Sequence, residues 1–284
     1  MKFSPGILLR KTSLVDYPGR VSSVLFLPGC NLRCPWCHNP ALVLGGVDGL
    51  VSADDALAHL LKRRSVLGGV VLSGGEPCLH GELPDLVAEI KKLGLRIKLD
   101  TNGMFPAVLR KLFGREETRP DHIALDLKIA PARYAELTPI NTSRKVAKLA
   151  EEDSRISTTN QHEPIRTTEE LQSTDSLCSG GLWLKNGDPG GALIQSAALI
   201  RESGISHEYR TLALPGDFIA KEDVEALAPL ADSAPWYFRP FRGGNCLDPS
   251  WDAFGETAPQ ERLRALAETL AGRAAELGKN GIVR

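Results

Sequence analysis

Three cysteines lie close together in the chain and could bind a metal. Cys30, Cys34 and Cys37 fall within the eight-residue segment CNLRCPWC, residues 30–37. Thiolates are soft ligands that hold zinc or an iron–sulfur cluster. No nearby pair of residues completes a four-ligand zinc site, and His38 follows Cys37 too directly to share a tetrahedron with it. Three thiolates on a four-iron cluster would leave one iron open, which is typical of a reactive site.

Three further cysteines stand alone in the sequence. Cys78, Cys178 and Cys246 complete the six cysteines of the chain. Single cysteines in a reducing compartment mostly behave as small buried hydrophobes. We interpret these three in that way, and the sequence assigns them no part in chemistry.

Glycines and charged residues form a second group of candidates. They are Gly74, Gly75, Glu76, Asp100, Asp126, Lys128 and Arg210. Taken singly, such residues also serve as turn formers, helix caps or surface ion pairs. Each of them, however, lies on or directly after an apolar segment that is typical of a strand. Functional groups of parallel sheets collect at the carboxyl ends of the strands, so we expect these residues to share one site with the cysteines.

Alternating apolar segments and helical patterns organise the chain. The apolar and β-branched segments predict strands at 21–27, 70–72, 96–100, 122–127, 207–214 and 236–241. The helical patterns predict helices at 52–64, 83–93, 105–113, 192–202, 221–230 and 260–277. Ser52 is the predicted N-cap of the first helix, followed by two aspartates in its first turn.

This alternation predicts an α/β fold of parallel β/α units. Six successive units favour a partial (β/α)6 barrel over a flat, doubly wound sheet. We predict a barrel over residues 1–258 and a separate C-terminal helix over 259–284.

One segment interrupts the barrel pattern. Residues 151–180 contain 10 Ser or Thr and no aromatic residue. Such a composition buries too little apolar surface to offset the entropy of ordering. We therefore predict a mostly disordered, low-complexity insertion at about 141–189. A partner-binding loop is the alternative, and Trp183 is the residue that favours it.

The composition excludes several classes of protein. The 284 residues are 42% hydrophobic, enough for a substantial core. The 34 basic and 35 acidic residues nearly cancel, which argues against electrostatic binding to nucleic acid or to a membrane surface. No apolar run is long enough to span a membrane and no signal peptide opens the chain, so we expect a cytoplasmic protein.

The motifs together resemble those of the radical S-adenosylmethionine (SAM) superfamily, and within it the activating enzymes of glycyl radical enzymes. The anaerobic ribonucleoside-triphosphate reductase activating proteins, in their longer form similar to pyruvate formate-lyase activase, are the most similar group. The resemblance covers about residues 8–134 and 191–252. It rests on TSLVDYPG at 12–19, the cysteine segment, CHNP at 37–40, SGGEP at 73–77, DTNG at 100–103, DLK at 126–128, YRT at 209–211 with Pro215, and NCLDP at 245–249.

The resemblance implies the cofactors and the roles of the site residues. Cys30, Cys34 and Cys37 would bind a [4Fe-4S] cluster whose open iron chelates SAM, and the reduced cluster would cleave SAM to a 5′-deoxyadenosyl radical. Trp36 would pack near the adenine. The remaining SAM-binding residues would be Gly74, Gly75, Glu76, Asp100, Asp126, Lys128 and Arg210. Lys128 would match the SAM carboxylate, and the acidic residues its ammonium and ribose groups.

Two features depart from the related activases. A His that helps bind SAM near the sixth strand is replaced here by Phe241 and Arg242. Either Arg210 or a backbone group takes over that contact, or the contact is absent. The ferredoxin-like region of some activases is also missing, so an external low-potential donor such as flavodoxin or ferredoxin must reduce the single cluster.

Two enzymatic hypotheses and one structural alternative follow. The first is an oxidoreductase of the radical SAM type that generates a glycyl radical on a partner, anaerobic ribonucleotide reductase. The second is a radical SAM enzyme acting on a small molecule or peptide. The alternative is a structural metal-binding module that holds zinc or a passive cluster, but such a module has no need of the Gly-Gly-Glu and Asp-Leu-Lys residues.

Overall fold

A computed structural model describes residues 3–139, 188–216, 218–252 and 260–284. Its strands form one eight-stranded sheet. They are β1 (Leu8–Ser13), β2 (Ser22–Leu27), β3 (Gly69–Gly74), β4 (Arg96–Thr101), β5 (His122–Asp126), β6 (Ser206–Ala213), β7 (Trp236–Pro240) and β8 (Gly281–Val283). The helices are α1 (Pro40–Leu44), α2 (Ala53–Arg63), α3 (Leu83–Lys92), α4 (Pro106–Phe113), α5 (Pro189–Glu202), α6 (Lys221–Leu227) and α7 (Gln260–Glu276).

The order of the strands in the sheet is the same as their order in the chain. β1 pairs antiparallel with β2, and every later pair is parallel. The six predicted strands correspond to β2–β7, which confirms the succession of β/α units. α2 begins as predicted, because the Ser52 hydroxyl accepts a hydrogen bond of 3.0 Å from the Asp55 N–H.

The sheet is concave on the face that carries the candidate site. Arg210 on β6 reaches Asp100 on β4 at 3.2 Å, although β5 lies between these two strands. A contact of this kind across an intervening strand is favoured where the sheet curves toward the side chains. We call the space enclosed by this face the lumen. The opposite face packs against the helices and forms the main hydrophobic core.

The C-terminal region adds a further β/α unit to the sheet. α7 lies within one residue of the predicted helix at each end and packs against β7. The chain then returns as β8, which pairs with β7 and was not predicted. The C-terminal helix is therefore integrated with the barrel.

The predicted insertion lies almost wholly outside the described residues. At its end, Asp188 is the N-cap of α5 and accepts a hydrogen bond of 2.9 Å from the Gly191 N–H. Trp183 and Cys178 also fall outside the described residues. Across the described ranges, no helix combines the length and the apolar character that crossing a bilayer requires.

Candidate functional site

The segment of residues 30–37, here called the cluster loop, follows β2 and is mostly buried. Cys30 and Cys34 are each 7% exposed, and Cys37 is half-buried. The Cys30 Sγ accepts hydrogen bonds from the Leu32 N–H at 3.4 Å and the Asn102 amide at 3.8 Å. Burial raises the pKa of Cys30 above its ordinary value and that of Cys34 to about 12. A metal centre bound here would have to displace protons from these thiols.

A second segment, residues 244–252, holds the cluster loop from outside; we call it the clasp loop. The Leu247 N–H donates to the Cys37 carbonyl and the Asp248 N–H to the Pro35 carbonyl, both at 2.9 Å. Asp252 shapes the clasp loop itself, because one carboxylate oxygen accepts the N–H groups of Gly244 at 3.0 Å and Cys246 at 2.9 Å. The two cysteine-bearing segments are thus fixed to each other through the backbone.

The two glycines after β3 permit a close approach to the cluster loop. Gly74 has φ +126°, and a Cβ there would lie 2.4 Å from backbone atoms of Leu27. A Cβ on Gly75 would lie 1.9 Å from the Gly29 carbonyl oxygen. The N–H groups of Gly75 and Glu76 donate to the carbonyls of Leu27 and Gly29, each at 2.9 Å. Packing therefore requires glycine at these positions, while their predicted contact with SAM stays a prediction.

Glu76 joins the ends of β3 and β4 beneath the cluster loop. Its side chain is fully buried. The carboxylate accepts hydrogen bonds from the Cys78 N–H at 2.9 Å, the Thr101 hydroxyl at 2.8 Å and the Asn102 N–H at 2.7 Å. Burial raises the pKa of Glu76, and these hydrogen bonds partly offset the effect. Asn102 in turn donates a hydrogen bond to Cys30, so Glu76 positions the cluster loop through Asn102.

Asp100 and Arg210 lie together on the lumen side of the sheet, within a buried network of charges. Asp100 also contacts Lys98, whose side chain is fully buried. Arg210 contacts Glu208 through its Nε at 2.6 Å. Burial alone would raise the pKa of Asp100, but the charges of Arg210 and Lys98 outweigh it and hold this pKa below its ordinary value. Asp100 is therefore a fixed negative charge.

Asp126 and Lys128 form an ion pair of 3.0 Å where β5 ends. The Lys128 N–H also donates to the Tyr134 hydroxyl at 2.9 Å. Burial would lower the pKa of Lys128, but the Asp126 carboxylate and the neighbouring Cys34 raise it well above its ordinary value. The structure thus places a permanent cation beside a cluster-loop thiol.

Trp36 is 3% exposed and packs among other aromatic rings. Its ring lies 4.9 Å from that of Phe218 and 5.4 Å from that of Trp251, measured between centroids. This packing anchors the cluster loop to the clasp loop. The predicted contact of Trp36 with adenine stays a prediction.

The residues of the site fit a four-iron cluster and a zwitterionic ligand. No group of three His, Cys, Asp or Glu residues within the described ranges converges on a single metal ion. A cluster needs less convergence, because each thiolate binds a different iron. The Nδ2 of Asn31 next to Cys30 is buried without an acceptor among the described residues, and it could donate to a cluster sulfur or to its ligand.

Three charged lumen residues were missed in the sequence: Lys98, Glu208 and Arg239. Each lies two residues from another polar or charged side chain on the same strand. Because side chains of a strand alternate between faces, charges at every second position indicate a polar inner face. The presence of polar or charged residues at every second position was the pattern from which these three residues could have been predicted.

Comparison with known proteins gives a family match. The model of the radical SAM superfamily matches residues 24–156. The pyruvate formate-lyase-activating enzyme of Listeria monocytogenes is 35% identical over 134 residues, covering 44% of this chain and 53% of that protein. The 7-carboxy-7-deazaguanine synthase of Aquifex aeolicus is 40% identical over 86 residues, covering 30% of this chain and 37% of that protein. The chain thus spans about half the length, or less, of these curated relatives.

A solved structure confirms the fold. SuiB of Streptococcus suis, bound to S-adenosylmethionine, superposes with a TM-score of 0.54 at 13% identity, covering 92% of this chain and 51% of that chain. The family match confirms the predicted resemblance and supports the predicted pair of cofactors, a [4Fe-4S] cluster and SAM.

Proposed function

We propose that this chain is a radical SAM activating enzyme that generates a glycyl radical on a partner protein, and the match of residues 24–156 to the radical SAM superfamily supports the proposal. One observation carries the proposal. The thiols of the cluster loop meet the ends of three successive strands: Gly75 after β3, Asn102 after β4 and Lys128 after β5. A structural metal site would not require this convergence of glycine, amide and cation.

The residues divide the work of the site among themselves. Cys30, Cys34 and Cys37 would hold the cluster. Together with SAM, the reduced cluster supplies the species that abstracts a hydrogen atom. Lys128 would neutralise the carboxylate of SAM, and Asp126 would keep that lysine charged and oriented.

The surrounding protein would exclude water from the reaction. The aromatic side chains of Trp36, Phe218 and Trp251 close one side of the cluster loop. Glu76 and Asn102 fix the loop from the other side without exposing the carboxylate. A dry, rigid site protects a reactive intermediate from side reactions.

Anaerobic ribonucleotide reductase is the partner that we propose, with a low-potential protein such as flavodoxin or ferredoxin as the electron donor. The choice of this reductase rests on the motifs shared with its activating proteins. The relative named as a pyruvate formate-lyase-activating enzyme supports an activating role without pointing to this partner. The substrate would be a glycine Cα–H bond of that partner.

The first test is an anaerobic assay of SAM cleavage. After loading with iron and sulfide and reduction with dithionite, the protein should produce 5′-deoxyadenosine, and Cys34→Ala should abolish this product because it removes one cluster ligand. Cys78→Ala is the matched control, since Cys78 is also a buried cysteine but lies outside the cluster loop. We expect this control to keep its iron. A Cys34→Ala protein that cleaves SAM like wild type would contradict the proposed site.

A second candidate function is radical chemistry on a small molecule. The match to 7-carboxy-7-deazaguanine synthase and the charged lumen favour it. Electron paramagnetic resonance distinguishes the two functions. A glycyl radical that grows on an added anaerobic ribonucleotide reductase supports the activase, whereas SAM cleavage without any such radical favours the small-molecule enzyme.

A further inference from the structure

Most of the charges that face the lumen form ion pairs with one another. Asp100 is shared by Lys98 and Arg210, and Arg210 also contacts Glu208 at 2.5 Å. At the end of β5, Lys128 pairs with Asp126. Each of these cations therefore has an acidic partner within ion-pair distance. Among the described residues, Arg239 has none.

The register of the sheet places Arg239 on the lumen face. Trp236 and Phe238 on β7 are fully buried in the core under α7. Because neighbouring side chains of a strand point to opposite faces, Arg239 points the other way. Tyr237, on the same face, is the register partner of Arg210. Arg239 thus lies on the face that carries Arg210, two residues nearer the carboxyl end of the sheet.

The environment of Arg239 calls for an anion. Its Nε is buried and has no hydrogen-bond acceptor among the described residues. Burial and the charges of Arg210 and Arg284 lower the pKa of Arg239 and outweigh the carboxylates of Glu208 and Asp126, which raise it, although Arg239 remains a cation. A buried donor on a charged group is costly to leave unsatisfied, so a ligand that supplies an oxyanion would bind there favourably.

Arg239 lies on a strand far from the cluster loop in the order of the sheet, although the chain beyond it returns to that loop, where Phe241 stacks on His38 at 5.5 Å. The cluster loop follows β2, and strands β3, β4, β5 and β6 lie between β2 and β7 in the sheet. In the proposed function, the cation for the carboxylate of SAM is Lys128, on which the charge of Cys34 acts. A ligand group that reaches Arg239 would therefore belong to the molecule that enters the lumen from the carboxyl ends of the strands.

We propose that Arg239 binds an oxyanion, a carboxylate or a phosphate, carried by the substrate; this inference rests on the radical SAM function proposed above. A guanidinium matches both groups with paired hydrogen bonds. An acidic segment beside the target glycine of a partner protein would supply a carboxylate, and a phosphorylated small molecule would supply a phosphate.

Calorimetry on the cluster-loaded protein with SAM tests the proposal through binding. The probes are N-acetylglycine, which carries a carboxylate, its neutral amide N-acetylglycinamide, and inorganic phosphate. We expect wild type to bind at least one anion more tightly than the amide, and Arg239→Gln to weaken that anion by about tenfold or more. Tighter binding of N-acetylglycine would indicate a carboxylate from a partner protein, and tighter binding of inorganic phosphate would indicate a phosphorylated small molecule. Arg264→Gln, with a side chain 72% exposed on α7, should bind the anion as wild type does.

Arg239→Lys keeps the positive charge but loses the paired N–H donors of the guanidinium. This variant should therefore retain part of the affinity for the anion, even if Arg239→Gln folds poorly. Three results would overturn the proposal. The first two are equal affinity of Arg239→Gln and wild type for the anion, and no binding of any anion by wild type. The third is a tenfold loss of affinity for SAM in Arg239→Gln, which would assign Arg239 to SAM itself. If anion binding depends on Arg239 while the wild type fails to cleave SAM, the proposed function fails and the anion site stands.

Discussion

Two buried carboxylates of the site have different partners, and this sets their response to pH. Glu76 accepts hydrogen bonds from neutral donors, and burial raises its pKa. Glu208 faces Arg210 and lies 3.5 Å from a His122 nitrogen. Burial would raise the pKa of Glu208, but the neighbouring His122 and the charge of Arg210 lower it to about 2. Of these two glutamates, Glu208 is therefore the one that stabilises the fold through its charge.

Removing the charge of Glu208 should change how the free energy of unfolding depends on pH. The folded pKa of about 2 lies below the ordinary value of 4.5, so the unfolded chain binds more protons between these pH values. The stabilisation is present above 4.5 and is lost as the pH falls toward about 2. We expect Glu208→Gln to lower the free energy of unfolding by on the order of 2–3 kcal/mol near pH 6, and the deficit to narrow near pH 3.

Urea unfolding followed by circular dichroism at both pH values measures this difference. Glu89→Gln is the control, because Glu89 forms an exposed ion pair with Lys92. Its effect should stay within about 0.5 kcal/mol at either pH. A Glu208→Gln deficit of the same size at pH 6 and pH 3 would contradict the assignment.

At the scale of elements, two glycines of the C-terminal unit should respond to alanine in opposite directions. Gly272 lies within α7, and a Cβ there would meet no atom within 4 Å. A Cβ on Gly281, in β8, would lie 2.4 Å from the Ala271 carbonyl oxygen. We expect Gly272→Ala to raise the free energy of unfolding by about 0.5–1 kcal/mol and Gly281→Ala to lower it by about 1–3 kcal/mol.

The same urea titration measures both glycine variants, and each serves as the control for the other. If Gly281→Ala left stability unchanged, α7 would not pack on β8 as described. The pair therefore tests whether the C-terminal helix belongs to the barrel.

The clasp loop should govern how firmly the cluster loop keeps its iron. Asp252→Ala removes the acceptor of the Gly244 and Cys246 N–H groups, which loosens the segment that bonds Cys37 and Pro35. We expect a chelator to strip iron several times faster from this variant, as followed by the loss of visible absorbance. Asp48→Ala changes an exposed aspartate elsewhere and should lose iron at the wild-type rate. Equal rates of iron loss in the two variants would show that the clasp loop does not affect how firmly the iron is held.

At the scale of the whole molecule, the sequence predicts the inner strands better than the edges. β2–β7 were predicted because buried strands are apolar in sequence. β1 carries the exposed Arg10 and Lys11, and β8 has only three residues, so neither shows a strand pattern. Charged and very short strands are usual at sheet edges, where they prevent pairing with other chains.

The site was predictable to the extent that local motifs define it. The spacing of Cys30, Cys34 and Cys37 was visible in the sequence. The burial of Glu76 and the unpaired charge of Arg239 were not, because both depend on contacts between strands that are distant in the chain. Long-range packing, which a single sequence does not encode locally, decides such features.

The pairing of strands in chain order has a consequence for biosynthesis. A nascent chain emerges from the ribosome with its N-terminal part first, and β1–β5 can pair without waiting for later residues. The cluster loop and Lys128 therefore leave the ribosome well before the clasp loop, which begins only at residue 244. We expect the three thiols to be open to iron-delivery proteins during this interval. The clasp would then close over a centre that has already been loaded.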